Sequence, residues 1–88
     1  MVRLQEISVK GCVDCQRFED WWNKNKTNFP NVNFEKINNT DPEWQELVSK
    51  YTIMASPGIV INGELFSTGS VNTTKLEEKL SELAKKNE

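Results

Sequence analysis

The sequence predicts an α/β domain in the order β-α-β-α-β-β-α, a central four-stranded mixed sheet flanked by helices. Three observations carry that prediction. Apolar residues recur at helical spacing in three segments that alternate with strand-like runs. The first strand, helix and second strand follow one another as a right-handed parallel unit. Asn62-Gly63, the strongest two-residue hairpin signal, then joins two short strands in antiparallel fashion. The 88 residues make one domain spanning 1–88, because a chain of this size buries roughly 60–70% of its unfolded surface and closes a single core.

Residues 3–9 read as the first strand through Leu4, Ile7 and Val9, with an imperfect alternation that lets Glu6 face either way. Over residues 13–25, Cys15, Phe18 and Trp22 fall at i, i+3 and i+7, an apolar helical stripe with Trp21 on its flank. Asn, Lys and Thr then accumulate up to Phe29-Pro30-Asn31 and turn the chain. Val32 and Phe34 alternate with polar residues before Ile37, giving a second strand over 32–38 polar enough for a sheet edge. Asp41-Pro42-Glu43 is a helix start, with Asp41 as N-cap and Pro42 at the first helical position, and Trp44, Leu47, Val48 and Tyr51 form the stripe that follows. Residues 58–61 and 64–68 are the hairpin strands. Thr74 and Glu77 have the spacing of a capping box. Leu76, Leu80, Leu83 and Ala84 share one face of a last helix, which ends on Lys85-Lys86, suited to its C-terminal dipole.

A chain 36% apolar and 27% charged is an ordinary globular composition, and a net charge of −2 without long like-charge blocks leaves no footprint for nucleic acid or an anionic membrane. Residues 1–9 carry Arg3 and Glu6 and no apolar run suited to a signal peptide, and no stretch approaches the ~18 apolar residues of a membrane span. The expectation is a soluble, unexported, cytoplasmic monomer. In a reducing compartment two cysteines are catalytic or metal-binding before they are a staple. There is no histidine, so one chain assembles neither a four-ligand Cys/His zinc site nor a Ser-His-Asp or Cys-His nucleophile. No metal and no cofactor is therefore expected within a single chain; metal would enter only across a dimer or with an external ligand.

The chemistry concentrates in Gly11-Cys12-Val13-Asp14-Cys15, which holds both cysteines at the turn from the first strand into the first helix. An i,i+3 spacing on a first helical turn puts both sulfurs on one face at a distance a disulfide bridges with little strain. Cys12, at the helix end where backbone N–H groups are unpaired, is favoured as the thiolate that attacks disulfides, and Cys15, one turn inside, resolves the mixed disulfide. Asp14 opposes ionisation of Cys12, whereas Lys10 favours it. Met54-Ala55-Ser56-Pro57-Gly58 precedes the third strand, whose start lies beside the end of the first, so Pro57 should face the dithiol; the residues by themselves give it the ordinary trans bond of a strand-opening proline. Val13 and Ile53 are the apolar residues available to cover a bound peptide segment.

With these residues in place the chain resembles the thioredoxin/glutaredoxin superfamily, particularly its smallest single-domain members of the redox-active-disulfide, glutaredoxin-like type. The resemblance runs over essentially all 88 residues. It is carried by Cys12-Val13-Asp14-Cys15, by Ser56-Pro57, by the Ile59-Val60-Ile61-Asn62-Gly63-Glu64-Leu65 hairpin and by Gly69, in the family's order. It implies a thioredoxin-like fold, a cis Ser56–Pro57 bond, and a Ser56 backbone that pairs with an extended substrate peptide. Val13-Asp14 departs from the Gly-Pro of thioredoxins and the Pro-Tyr of glutaredoxins, and Ala55-Ser56-Pro57 and Gly69-Ser70-Val71-Asn72 depart from the glutaredoxin pattern. The expected activity is a thiol–disulfide oxidoreductase reducing protein disulfides, supplied by an upstream thiol reductant, either a thioredoxin-reductase-like enzyme or glutathione. Two alternatives stand beside it: a glutaredoxin using glutathione, and a dimeric module binding metal or an iron–sulfur cluster through the same cysteines. Glutathione carries two carboxylates, and only Lys10 and Arg17 are basic within seven positions of Cys12, which favours the protein substrate.

Overall fold

The computed structural model describes residues 1–86. The side chain of Lys86, one of the two lysines expected at the last helix end, lies outside the described residues. Strands β1 (Val2–Ile7), β2 (Val32–Ile37), β3 (Gly58–Ile61) and β4 (Glu64–Thr68) alternate with helices α1 (Val13–Asn25), α2 (Trp44–Tyr51) and α3 (Thr73–Lys86) in the expected order. The sheet runs β2-β1-β3-β4. β1 pairs in parallel with β2 from Val2↔Val32 to Ile7↔Ile37, and antiparallel with β3 from Leu4↔Ile61 to Ile7↔Gly58. β3 and β4 form the hairpin about Asn62-Gly63, with an irregularity between Ile59 and Val60. β2, the polar strand, lies at an edge. No helix among the described residues is long and apolar enough to cross a membrane.

Alternation along the strands sends side chains to two cores. Val2, Leu4, Ile59 and Ile61 meet Phe18 and Trp22 of α1 and Leu76 and Leu80 of α3, with Trp21, Phe29 and Phe34 packed around them. Aromatic geometry fixes this side: Trp22 and Phe34 ring centroids are 5.3 Å apart, and Phe18 stacks on Trp21 at 6.2 Å. Ile7, Ile37, Ile53 and Val60 meet Trp44, Leu47, Val48 and Tyr51 of α2 on the opposite face. Trp44 Nε1 donates to the Ser8 carbonyl at 2.9 Å and Tyr51 Oη to that of Gly63 at 3.0 Å, so the polar ends of both rings are used by the backbone.

Several element ends differ from the sequence expectation, in each case because a local hydrogen bond takes the chain elsewhere. β1 stops at Ile7: Ser8 N–H still reaches the Ile37 carbonyl at 2.7 Å, but the Val9 carbonyl accepts from Cys12 N–H in a turn that holds Gly11 at φ 82°. β2 stops at Ile37 because Asn38 N–H is captured by Asp41 Oδ2 at 2.8 Å. The same bond removes Asp41 as the α2 cap. The helix begins at Trp44 after Glu43, which makes no side-chain cap, and Pro42 lies ahead of it. Asn72, and not Thr74, caps α3, its Oδ1 accepting from Lys75 N–H at 3.1 Å.

One charged group is enclosed by the fold. Glu6 has no exposed surface and neither carboxyl oxygen meets a hydrogen-bond donor. Alternation puts it on the α1 side with Val2 and Leu4. Burial, reinforced by the like charge of Glu19 and opposed by Lys36, pushes its carboxyl from the ordinary 4.5 to about 9.

Two stability predictions follow from this packing. A Cβ on Gly58 would stand 2.6 Å from Ile53 Cδ1 and 3.1 Å from Ile53 Cγ2. Gly58→Ala is expected to cost about 1–3 kcal/mol in urea unfolding, the range for overpacked cores, and an unchanged midpoint would mean that Ile53 repacks freely. For Glu6, the folded state binds the proton more tightly than the unfolded chain between the ordinary and the raised value, so stability falls as pH rises through that window. Glu6→Gln stays neutral throughout, and its stability relative to the parent should therefore grow from mildly acid to alkaline pH. Parallel pH profiles for the two proteins would show that Glu6 is not the protonated group.

Candidate functional site

The loop leaving β1 delivers Cys12 to the N-cap of α1, with φ −80° and ψ 119° and its Sγ accepting from Cys15 N–H at 3.1 Å. A sulfur here takes the place usually held by a Ser or Asp oxygen, and the unpaired N–H groups of the first turn favour negative charge on it. Cys12 and Cys15 are joined as a disulfide with Cα atoms 5.2 Å apart. Their surroundings differ: Cys12 is partly exposed, whereas Cys15, on the inner face of α1 with Phe18 and Trp22, is 2% exposed. Cys12 is thus the more accessible of the two cysteines.

The sheet brings the second component. Because Ile7 pairs with Gly58, the residues ahead of β3 arrive beside the loop that follows β1. The Ser56–Pro57 bond is cis, Pro57 is buried, and the Ser56 carbonyl oxygen lies 3.6 Å from Cys12 Sγ. Gly69 N–H, at φ 80° after β4, donates to the Pro57 carbonyl at 3.1 Å and ties this loop to the hairpin.

On the β2 side of the disulfide opens a cleft of about 590 Å³, its walls including Lys10, Cys12, Val13, Cys15, Glu19 and Lys36. Lys10 borders it, its backbone N–H directed to Asn39 Oδ1 at 3.4 Å. Asp14 turns the other way, to Arg17 at 3.8 Å. Val13 stands out of the surface at 65% exposure. Ile53, expected to cover a bound segment, is instead in the α2 core against Gly58, and the exposed apolar residue of that loop is Met54, at 92%. The structure thus gathers Lys10, Cys12, Val13 and Cys15 along one cleft, brings the Ser56 carbonyl to 3.6 Å from Cys12 Sγ, and pairs Asp14 with Arg17.

The sequence left the facing of Glu6 open and gave no sign that Glu19 and Lys36 meet. Lys36 shares the register position of Glu6 across β1–β2, and its Nζ meets Glu19 Oε1 at 2.7 Å. The contact favours the ammonium and raises the Lys36 pKa. The available signal was a glutamate in phase with the apolar Val2 and Leu4 of β1, six residues before Cys12. Among the described residues no three His, Cys, Asp or Glu side chains are grouped to hold a metal ion.

The fold is shared with the X-ray structure of Fasciola hepatica thioredoxin, at TM-score 0.72 and 21% sequence identity over 92% of this chain and 79% of that one. No curated protein matches the sequence. The family model described as the thioredoxin domain matches residues 5–83, which include both cysteines and Pro57, and the chain is accordingly a small single-domain member of the thioredoxin-domain family.

Proposed function

We propose that the protein is a thiol–disulfide oxidoreductase that reduces disulfides of protein substrates through Cys12 and Cys15. The single observation that supports this most strongly is the asymmetry of the pair: a partly exposed Cys12 Sγ at a helix N-cap, 3.1 Å from a backbone N–H, bonded to a buried Cys15. Thioredoxin-like proteins generally act on disulfide-containing proteins, and the geometry suits that chemistry.

The proposed cycle balances as follows. The Cys12 thiolate attacks one sulfur of the substrate disulfide; that bond breaks, and the departing thiolate takes a proton from solvent. The Cys15 thiol gives up its proton and attacks Cys12 Sγ. The mixed disulfide breaks, the second substrate thiol leaves, and two electrons have passed from the dithiol to the substrate. The Cys15 N–H and the α1 N-terminus stabilise the Cys12 thiolate, both at the start and when it leaves in the reverse direction. Ser56 and Pro57 form the platform on which an extended substrate segment pairs, and Val13 and Met54 give it apolar cover. Lys10 and Asp14 are assigned opposite influences on Cys12, with Asp14 moderated by its contact with Arg17.

The proposal predicts that, in the reduced protein, an alkylating reagent labels Cys12 much faster than Cys15 near neutral pH. Cys12→Ser should abolish exchange. Cys15→Ser should accumulate covalent complexes with partner proteins that reductant releases. Faster labelling of Cys15 would reverse the two roles.

Substrate class is tested separately, by comparing reduction of a protein disulfide with glutathione-driven reduction of a small mixed disulfide at equal protein concentration and potential. The expected outcome is preferential reduction of the protein disulfide. Strong glutathione-driven turnover with negligible protein reduction would make the chain a glutaredoxin.

A further inference from the structure

The loop between α2 and β3 is pinned at both ends and presents one large apolar side chain to water. At its start Thr52 takes the left-handed conformation, φ 52°, and Ile53 N–H donates to the Val48 carbonyl at 3.0 Å, which sends Ile53 into the α2 core. At its end Pro57 is buried and its carbonyl accepts from Gly69 N–H at 3.1 Å. Between these anchors Met54 is 92% exposed. It stands two residues from Ser56, whose carbonyl oxygen lies 3.6 Å from Cys12 Sγ, and two residues of chain span at most about 7 Å. Met1, the other methionine, is 81% exposed but precedes β1, whose six residues set it roughly 20 Å along the strand from the end that carries the site.

We propose that Met54 is an oxidation site through which a peroxide selects among the disulfides this dithiol reduces. This rests on the exchange reading above, in which Met54 gives apolar cover to a bound protein segment. A thioether is flexible and polarisable and adapts to varied side chains, which suits a contact shared by several substrates. Its exposure also opens it to oxidants. The peroxide transfers one oxygen atom to Met54 Sδ: the O–O bond breaks, an S–O bond forms, the sulfur gives up two electrons, and the peroxide leaves as water or an alcohol. The sulfoxide is a strong acceptor, satisfied by water in the free protein. Under a docked apolar segment it loses that water and meets no donor in exchange, so docking weakens. A small disulfide reaches Cys12 without covering Met54 and is unaffected. A second peroxide takes two electrons and two protons from Cys12 and Cys15 and closes their disulfide, which thiols reopen; the sulfoxide persists until a methionine sulfoxide reductase removes it.

The test treats the protein with hydrogen peroxide while the Cys12–Cys15 disulfide is closed, so that the thioethers react and the thiols do not. Mass spectrometry of the peptides locates the added oxygen. The disulfide is then reduced, and the rates on a protein disulfide and on a small aromatic disulfide are compared with those of untreated protein. The oxidised protein should lose about tenfold in kcat/KM on the protein disulfide, the order expected when a covered acceptor is left without a donor, and keep its rate on the small one. Met54→Leu, which retains Met1, should lose nothing on treatment, whereas Met54→Gln should show the selective loss with no oxidant. Methionine sulfoxide reductases for the two sulfoxide epimers, added together, should restore the oxidised parent. Met54 left intact where Met1 is oxidised, full oxidation of Met54 with the protein rate unchanged, an equal fall on both substrates, or the same fall in treated Met54→Leu would overturn the proposal and leave the exchange reading standing. Failure of the untreated, reduced protein to act on the protein disulfide would overturn the exchange reading and the proposal with it.

Discussion

The backbone ladders on the two sides of β1 converge at Ile7, and the arrangement of the site depends on that convergence. Ile7 pairs with Ile37 on one side and with Gly58 on the other. The parallel ladder fixes where α1 must start, because the chain leaving Ile7 has only the short loop through Gly11 in which to rise over the sheet. The antiparallel ladder fixes where Pro57 arrives, one residue before Gly58. Cys12 and the Ser56 carbonyl thus come within 3.6 Å although 44 residues separate them. Since the side-chain period of a strand is two, a slip of one residue in either ladder would turn Glu6, Ile7 and Ile59 to the wrong faces. Two apolar cores resist such a slip, one under α1 and α3 and one under α2.

Glu6 is where the demands of packing and of chemistry part. Alternation sets it on the side of the sheet where Phe18, Leu76 and Leu80 pack, and an aliphatic residue there would avoid the desolvation that raises the carboxyl pKa. A buried acid without a donor is a local conflict of the kind that proteins otherwise avoid, and such conflicts gather where a proton has to be held or moved.

The similarity to Fasciola hepatica thioredoxin at 21% identity shows how little of the sequence the fold itself requires. What the sheet needs is an apolar alternation in β1 and β3, a hairpin turn and helical stripes, and many residues satisfy those. The groups that give this chain its own character lie elsewhere: Val13-Asp14 between the cysteines, Met54 at the rim of the Pro57 loop, and the Glu19–Lys36 pair at the cleft. Each of these touches the dithiol's surroundings and none of them is needed to close a core.

The sequence by itself determined the order of elements, the hairpin at Asn62-Gly63, the inner stripe of α1 and the pairing of Cys12 with Cys15, because each depends on contacts within one turn or one strand period. Helix and strand ends were legible only to within a few residues. Asp41 and Asn72 have side chains that serve a turn or a cap equally well, and the neighbouring backbone decides which. Only the tertiary structure decided that Ile53 is core and Met54 surface, for both are apolar and adjacent and nothing local distinguishes them. It alone also joined Glu6, Glu19 and Lys36, which stand 13 and 17 residues apart along the chain and meet because β1 and β2 run side by side beneath α1. A carboxyl's proton affinity is set by how much water and how much charge surround it, and that is a property of the folded neighbourhood rather than of the residue.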